Sequence, residues 1–163
     1  DDAEAQRQYT AGACDAFTTD ASGLAATRAT LPDADNHVIL PEIISKEPLG
    51  PVVRHGDNNW GDVVRWTYYA LLIAEEKGIT SANLEEVLAS TTDEEVKRLL
   101  GASGEMGAKF GLDNAAFKNA IAAVGNYGEI FSRNIGEGTA INLARGLNAL
   151  WTQGGLQYAP PVR

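Results

Sequence analysis

Three short strand-like runs constrain this chain more than any other feature, because they are too few for the sheet they describe. Cys14-Asp15-Ala16-Phe17-Thr18, His37-Val38-Ile39-Leu40 and Pro51-Val52-Val53-Arg54 read as strands between turn-forming residues. Ala3 to Ala11 reads as the end of a short helix closed by Gly12, with no cap at its start. Thr18-Thr19-Asp20 supplies N-cap chemistry for a helix from Ala21 to Thr30, which Pro32 stops. Pro41 ends the second run, and Pro48-Leu49-Gly50 turns into the third. Alternating helix and strand is the pattern of a parallel sheet covered on both faces. Such a sheet usually has about five or six strands. The simplest explanation is that Asp1 lies inside a larger α/β fold whose earlier strands are not in this chain. The alternative is that strands pair between subunits.

The character changes at Asp57. Between Asn59 and Lys77, a stripe recurs at Trp60, Val63, Val64, Thr67, Leu71 and Ala74, and Trp66, Ala70 and Ile73 fill a second one. Two apolar stripes predict a helix buried on most sides, with both tryptophans in the core, ended by Gly78. A further helix is expected over Ala82 to Ala89. Thr92-Asp93-Glu94-Glu95 reads as a capping box opening a short helix that Gly101 ends. Asp113 can cap a longer one with Phe117, Ile121, Val124 and Phe131 on one face, weakened by Gly125 and Gly128. The glycine- and proline-rich tail from Thr139 has Leu147, Leu150 and Trp151 as its packing anchor. Glu75-Glu76-Lys77 and Asp93-Glu94-Glu95 read as solvated helix ends.

Charge and composition narrow the function classes. Thirteen Lys and Arg stand against 22 acids in 163 residues, a net charge of −9. No window supplies the basic stripe that a phosphate backbone or an anionic membrane demands, so nucleic acid is not an expected partner. No run approaches the roughly 18 apolar residues that span a bilayer; the longest, Val63 to Ala74, is interrupted by Arg65. Asp1-Asp2-Ala3-Glu4 is acidic where a targeting sequence starts basic, which suits a mature form, a cytoplasmic protein or a piece of something longer. One cysteine and two histidines cannot assemble a zinc site or a thiol relay. Cys14 reads as a small buried hydrophobe in its strand. His37 and His55 read as solvated or locally bonded, and Asp15 as exposed or locally paired. Gly101 to Gly104 lacks the lysine and flanking pattern of a phosphate cradle.

Asp20 holds a more specific position. A residue just past a parallel strand and opening a helix stands where open α/β sheets bind ligands. Its carboxylate suits an ammonium group, and it equally suits the first N–H groups of the helix; two oxygens allow both.

Tyr9-Thr-Ala-Gly-Ala-Cys-Asp-Ala-Phe-Thr-Thr-Asp20, then Pro41-Glu42, then Leu49-Gly-Pro-Val-Val-Arg54 with Gly56-Asp57, together form a pattern. It resembles the second half of the amino-acid-binding proteins of bacterial ABC importers. Asn126-Tyr-Gly-Glu129, the run Arg145 to Trp151 and the ending Gly154 to Arg163 resemble the general L-amino-acid-binding branch. The resemblance covers essentially the whole chain. It implies a partial periplasmic-binding-protein-like α/β fold, with few parallel strands at the front and a mostly helical C-terminal portion. Residues 1–43 would be the remainder of lobe two, 44–50 the crossover hinge, and 51–163 the returning part of lobe one with a helical extension.

The implied function is capture of L-amino acids in the periplasm for import through a membrane permease, without cofactor, metal or catalytic residue. Asp20 is the one ligand-binding residue that matches the family pattern. The groups that hold the ligand's α-carboxylate belong to the half with no counterpart here, so the chain alone should bind amino acids weakly or not at all. An oxidising compartment would suit Cys14 as one end of a disulfide to that half, with a free buried thiol as the alternative. Exposed sheet edges could pair two copies. A protein-interaction module using the helical surface, and less readily a dehydratase-like enzyme on the same scaffold, are the other readings.

Overall fold

The computed structural model describes residues 1–46 and 48–163 and divides them into two compact units, Asp1–Leu49 with Ile135–Ala144, and Gly50–Asn134 with Arg145–Arg163. The expected hinge at 44–50 includes Glu47, which lies outside the described residues.

In the first unit, helix α1 spans Asp2–Thr10 and α2 spans Ala21–Thr30, followed by a 3-10 turn at Ala34–Asn36. The start of α1 is capped after all: the Asp1 carboxylate accepts a hydrogen bond from the Glu4 N–H at 2.9 Å. Tyr9 ties α1 to the following segments. Its ring packs on Phe17, and its hydroxyl hydrogen-bonds His37 Nδ1 at 2.6 Å, while His37 Nε2 meets Asp33 at 3.0 Å. His37 is therefore locally bonded, as its surroundings in the sequence suggested.

The three expected strands are absent as ladders. Among the described residues only two isolated parallel bridges occur, Gly136 with Leu143 and Leu150 with Gln157. Cys14–Thr18, His37–Leu40 and Pro51–Arg54 run without a strand partner. The physical reason is that a strand takes its hydrogen bonds from a neighbour, and none of the described segments runs alongside these. Exposure along 37–40 still alternates. His37 and Ile39 are half-buried, whereas Val38 and Leu40 are exposed. The expectation of parallel strands is corrected, and that of a mostly helical later portion stands. Cys14 lies in the same open stretch and is exposed rather than buried.

The second unit is built on α3, Asn58–Glu76. Asp57 accepts from the Trp60 N–H at 3.1 Å to start it, and Gly78, at φ +68°, lets the chain turn away after it. Its 3.6-residue periodicity buries Val63, Ala70, Leu72, Ile73 and Ala74. Helices α4 (Leu84–Ser90), α5 (Glu94–Leu99), α6 (Ala116–Val124) and α7 (Tyr127–Asn134) contribute to the same unit. Its core gathers Ile79, Leu84, Leu99, Leu100, Phe117 and Ile121. Trp66 packs against this core as expected, while Trp60, in the first turn of α3, is 53% exposed.

Other local expectations shift by one element. Asp93 caps α5 from its own side chain, and Glu95 does not reach back to close a box. The single helix expected after Asp113 is two. Gly125, at φ +81°, separates α6 from α7, and a Cβ there would stand 2.8 Å from Glu129. Phe117, Ile121 and Phe131 are buried, but Val124 is 41% exposed beside the break. In the tail Leu150, Ala159 and Val162 do the anchoring, and Leu147 and Trp151 face solvent. Phe117→Ala should therefore lower the stability of this unit by about 3–5 kcal/mol. Val124→Ala should cost less than about 1 kcal/mol. Urea denaturation of both variants measures the difference.

Candidate ligand-binding site

Asp20 opens α2, with its carbonyl accepting the first helical hydrogen bond from the Leu24 N–H at 2.8 Å. Its backbone is extended (φ −55°, ψ 144°), the ordinary N-cap conformation. The side chain behaves differently from that of an ordinary cap. It makes no capping hydrogen bond, in contrast to Asp1, Asp57 and Asp93, whose carboxylates each accept from their helix N–H groups. Half-buried, it leaves both oxygens unspent at the positive end of a ten-residue helix. Behind it, Thr19 packs where a side chain on Gly23 would stand, 3.2 Å from the would-be Cβ. The first turn of α2 therefore tolerates little bulk next to this carboxylate. The arrangement can accept hydrogen bonds from a cation at a fixed place.

Asp15 and His55 are exposed. A shallow depression of about 460 Å³ in the second unit is lined by His55, Arg54, Asp57, Asp62 and Arg65. Its charges are largely spent internally, Asp57 on the α3 cap and Asp62 on Arg65 at 2.8 Å. Among the described residues no group of three or more His, Cys, Asp or Glu could hold a metal ion.

Two polar clusters escaped sequence reasoning because their members lie far apart in the chain. Glu75 is not a solvated helix end. Its side chain is 12% exposed and receives Arg145 Nη1 at 2.9 Å and Nη2 at 3.2 Å, while the guanidinium also lies over the Tyr127 and Phe131 rings. Beside them Tyr68 donates to Gln157, and burial together with the neighbouring Tyr127 pushes the Tyr68 hydroxyl up to about 12. Lys77 bridges Asp93 and Glu95 at 2.9 Å each, which raises its own pKa and lowers that of Asp93.

The second cluster centres on Glu129. Its carboxylate accepts from Ser81 Oγ at 2.6 Å, from the Ser81 N–H and from the Asn126 N–H at 2.8 Å. Asn126, itself buried, donates to the Ile79 carbonyl at 2.8 Å. Burial opposes the charge on Glu129, but the donors outweigh it and hold the carboxyl below the usual range. A lowered folded-state pKa contributes stability above the unfolded value near about 4.3, and that stability is lost as pH falls through the folded value. The melting temperature should thus drop between about pH 5 and pH 3. Glu129→Gln should melt lower at pH 7 and decline less steeply across that window, as scanning calorimetry would record.

No family model matches the chain. It is 71% identical over 163 residues to the glutamate/glutamine/aspartate/asparagine-binding protein of Rhodobacter capsulatus, covering all of this chain and 48% of that protein. It is 56% identical over 162 residues to the general L-amino acid-binding periplasmic protein of Rhizobium johnstonii, covering 98% of this chain and 47% of that protein. Among solved structures, a periplasmic binding protein of an ABC transporter from Brucella ovis with glutathione bound matches at TM-score 0.92 and 55% identity. That match covers all of this chain and 51% of the other. The fold and these relatives define a class, the solute-binding proteins of ABC transporters. The chain is similar over nearly its whole length to the amino-acid-binding periplasmic proteins of that class, and it spans about half the length of the curated relatives it matches.

Proposed function

We propose that the protein containing this chain captures L-amino acids in the periplasm and passes them to the membrane permease of an ABC importer, as a binding protein and not as an enzyme. Asp20 serves as the acceptor for the ligand's α-ammonium group. The observation that carries this is the unspent Asp20 carboxylate, fixed at the start of α2 while comparable aspartates are consumed by their helices. A charge-assisted bond to an ammonium in a partly dry cleft is stronger than one to a backbone N–H.

The named ligands of the relatives support reading the head group rather than the side chain. Glutamate, glutamine, aspartate and asparagine differ in side-chain charge and length, and glutathione adds two further residues. All five present a free α-ammonium next to a free α-carboxylate, glutathione at its γ-glutamyl end. A site that spends its charge on that shared head accepts them together. The lobe assignment, with 1–43 in one lobe, 44–50 as hinge and 51–163 returning to the other, belongs to the same proposal, as does a disulfide from the exposed Cys14. Pairing of two copies through the exposed runs 37–40 and 51–54 is a separate partner reading, which sedimentation would decide.

In the full-length protein, Asp20→Asn should weaken amino-acid binding about 10- to 100-fold. Asp15→Asn, five residues earlier and exposed, should leave it within about twofold. Isothermal titration with glutamine and with a γ-glutamyl peptide reads both effects. Unchanged affinity in Asp20→Asn would remove this residue from the site.

A further inference from the structure

The C-terminal run from Ala149 to Val162 carries a feature that amino-acid capture does not use. Trp151 and Tyr158 stand edge to face, ring centroids 5.8 Å apart, although they are 51% and 60% exposed. They are held there by main chain. The Trp151 N–H donates to the Gln157 carbonyl at 2.9 Å, the Gln157 N–H to the Ala149 carbonyl at 3.1 Å, and the Gly155 N–H to the Leu150 carbonyl at 3.0 Å. Only glycine fits at 155, where a Cβ would lie 1.9 Å from the Ala149 carbonyl oxygen. The pair is thus presented by a preformed turn.

The rings border a cavity of about 230 Å³ whose apolar wall is Ile73, Ala159 and Pro161. Its charged wall is Glu76, Lys77 and Glu95. Lys77 is already committed to Asp93 and Glu95, and Glu95 also accepts from the Val162 N–H at 2.9 Å. Two carboxylates thus hold that one ammonium, and a third, Glu76, exposed at the end of α3, forms no ion pair among the described residues. The local charge is negative, next to ring faces that attract cations.

We propose that this cavity is a docking site for an arginine side chain of a partner polypeptide, its guanidinium stacked on the Trp151–Tyr158 pair and its charge met by Glu76. A guanidinium stacks on aromatic faces and sheds water more readily than an ammonium, so it suits a half-open aromatic notch. The site lies in the second unit and uses none of the groups assigned to amino-acid binding.

The test titrates N-acetyl-arginine amide into the full-length protein and follows the Trp151 indole N–H by NMR, assigned with Trp151→Phe. This probe has neither free α-ammonium nor free α-carboxylate, so it cannot report on Asp20. A saturable shift is expected, weakened about three- to tenfold in Glu76→Gln and in Tyr158→Ala. Glu76→Gln changes only an exposed side chain and so serves if Tyr158→Ala misfolds. N-acetyl-citrulline amide, equal in shape but uncharged, should produce no saturable shift. An unmoved Trp151 signal, an equal response to citrulline, or full binding in Glu76→Gln would overturn the proposal.

Discussion

The apolar surface of α3 runs around more than one side of the helix, and it cannot stay in water. That single demand organises the second unit. Helices α6 and α7 lie against it, and the tail comes back to it through Leu150, Ala159 and Val162. Full burial of one such aliphatic or aromatic side chain is worth about 1.5–3 kcal/mol, and that gain draws a tail with little regular structure of its own onto this core. Polar contacts then fix where the covering pieces sit. The Arg145–Glu75 pair and the Glu129 hub each join segments about fifty to seventy residues apart, and each carboxylate accepts two or more hydrogen bonds there.

The periodic part of this architecture was legible in the sequence. The repeat from Val63 to Ala74 announced α3, and proline and glycine marked the ends of α2 and α3, because both signals act within a few residues. The change of character at Asp57 and the Thr92–Glu95 run likewise located the starts of α3 and α5, although Asp93 and not Thr92 supplies the cap of α5. Long-range geometry was not. Nothing local to Glu75 distinguishes a solvated helix end from a partner for Arg145, and Glu95 is drawn away from its expected capping role by Lys77 and the Val162 N–H. The strand expectations at 14–18, 37–40 and 51–54 show the same limit. Alternation along 37–40 is real, but alternation describes a strand's faces, while a ladder depends on a neighbour that local sequence does not specify.

The candidate site divides in the same way. A helix-opening aspartate after an extended run is visible from sequence, yet its meaning rests on whether its oxygens are occupied. Among the described residues four aspartates start α-helices, and only the structure separates the three that cap from Asp20. The relatives supply the complementary half of the argument, since proteins named for chemically different ligands share a zwitterionic head that one fixed carboxylate can serve.

The path of the backbone has a mechanical corollary. The polypeptide leaves the first unit after Leu49, re-enters it for Ile135–Ala144 and leaves again at Arg145. The two units are therefore linked by three separate peptide connections. Severing any single one, by a protease for example, gives two polypeptides that no covalent bond joins, so a molecule nicked after Leu49 would hold together only through the first unit's own contacts and would come apart under denaturant.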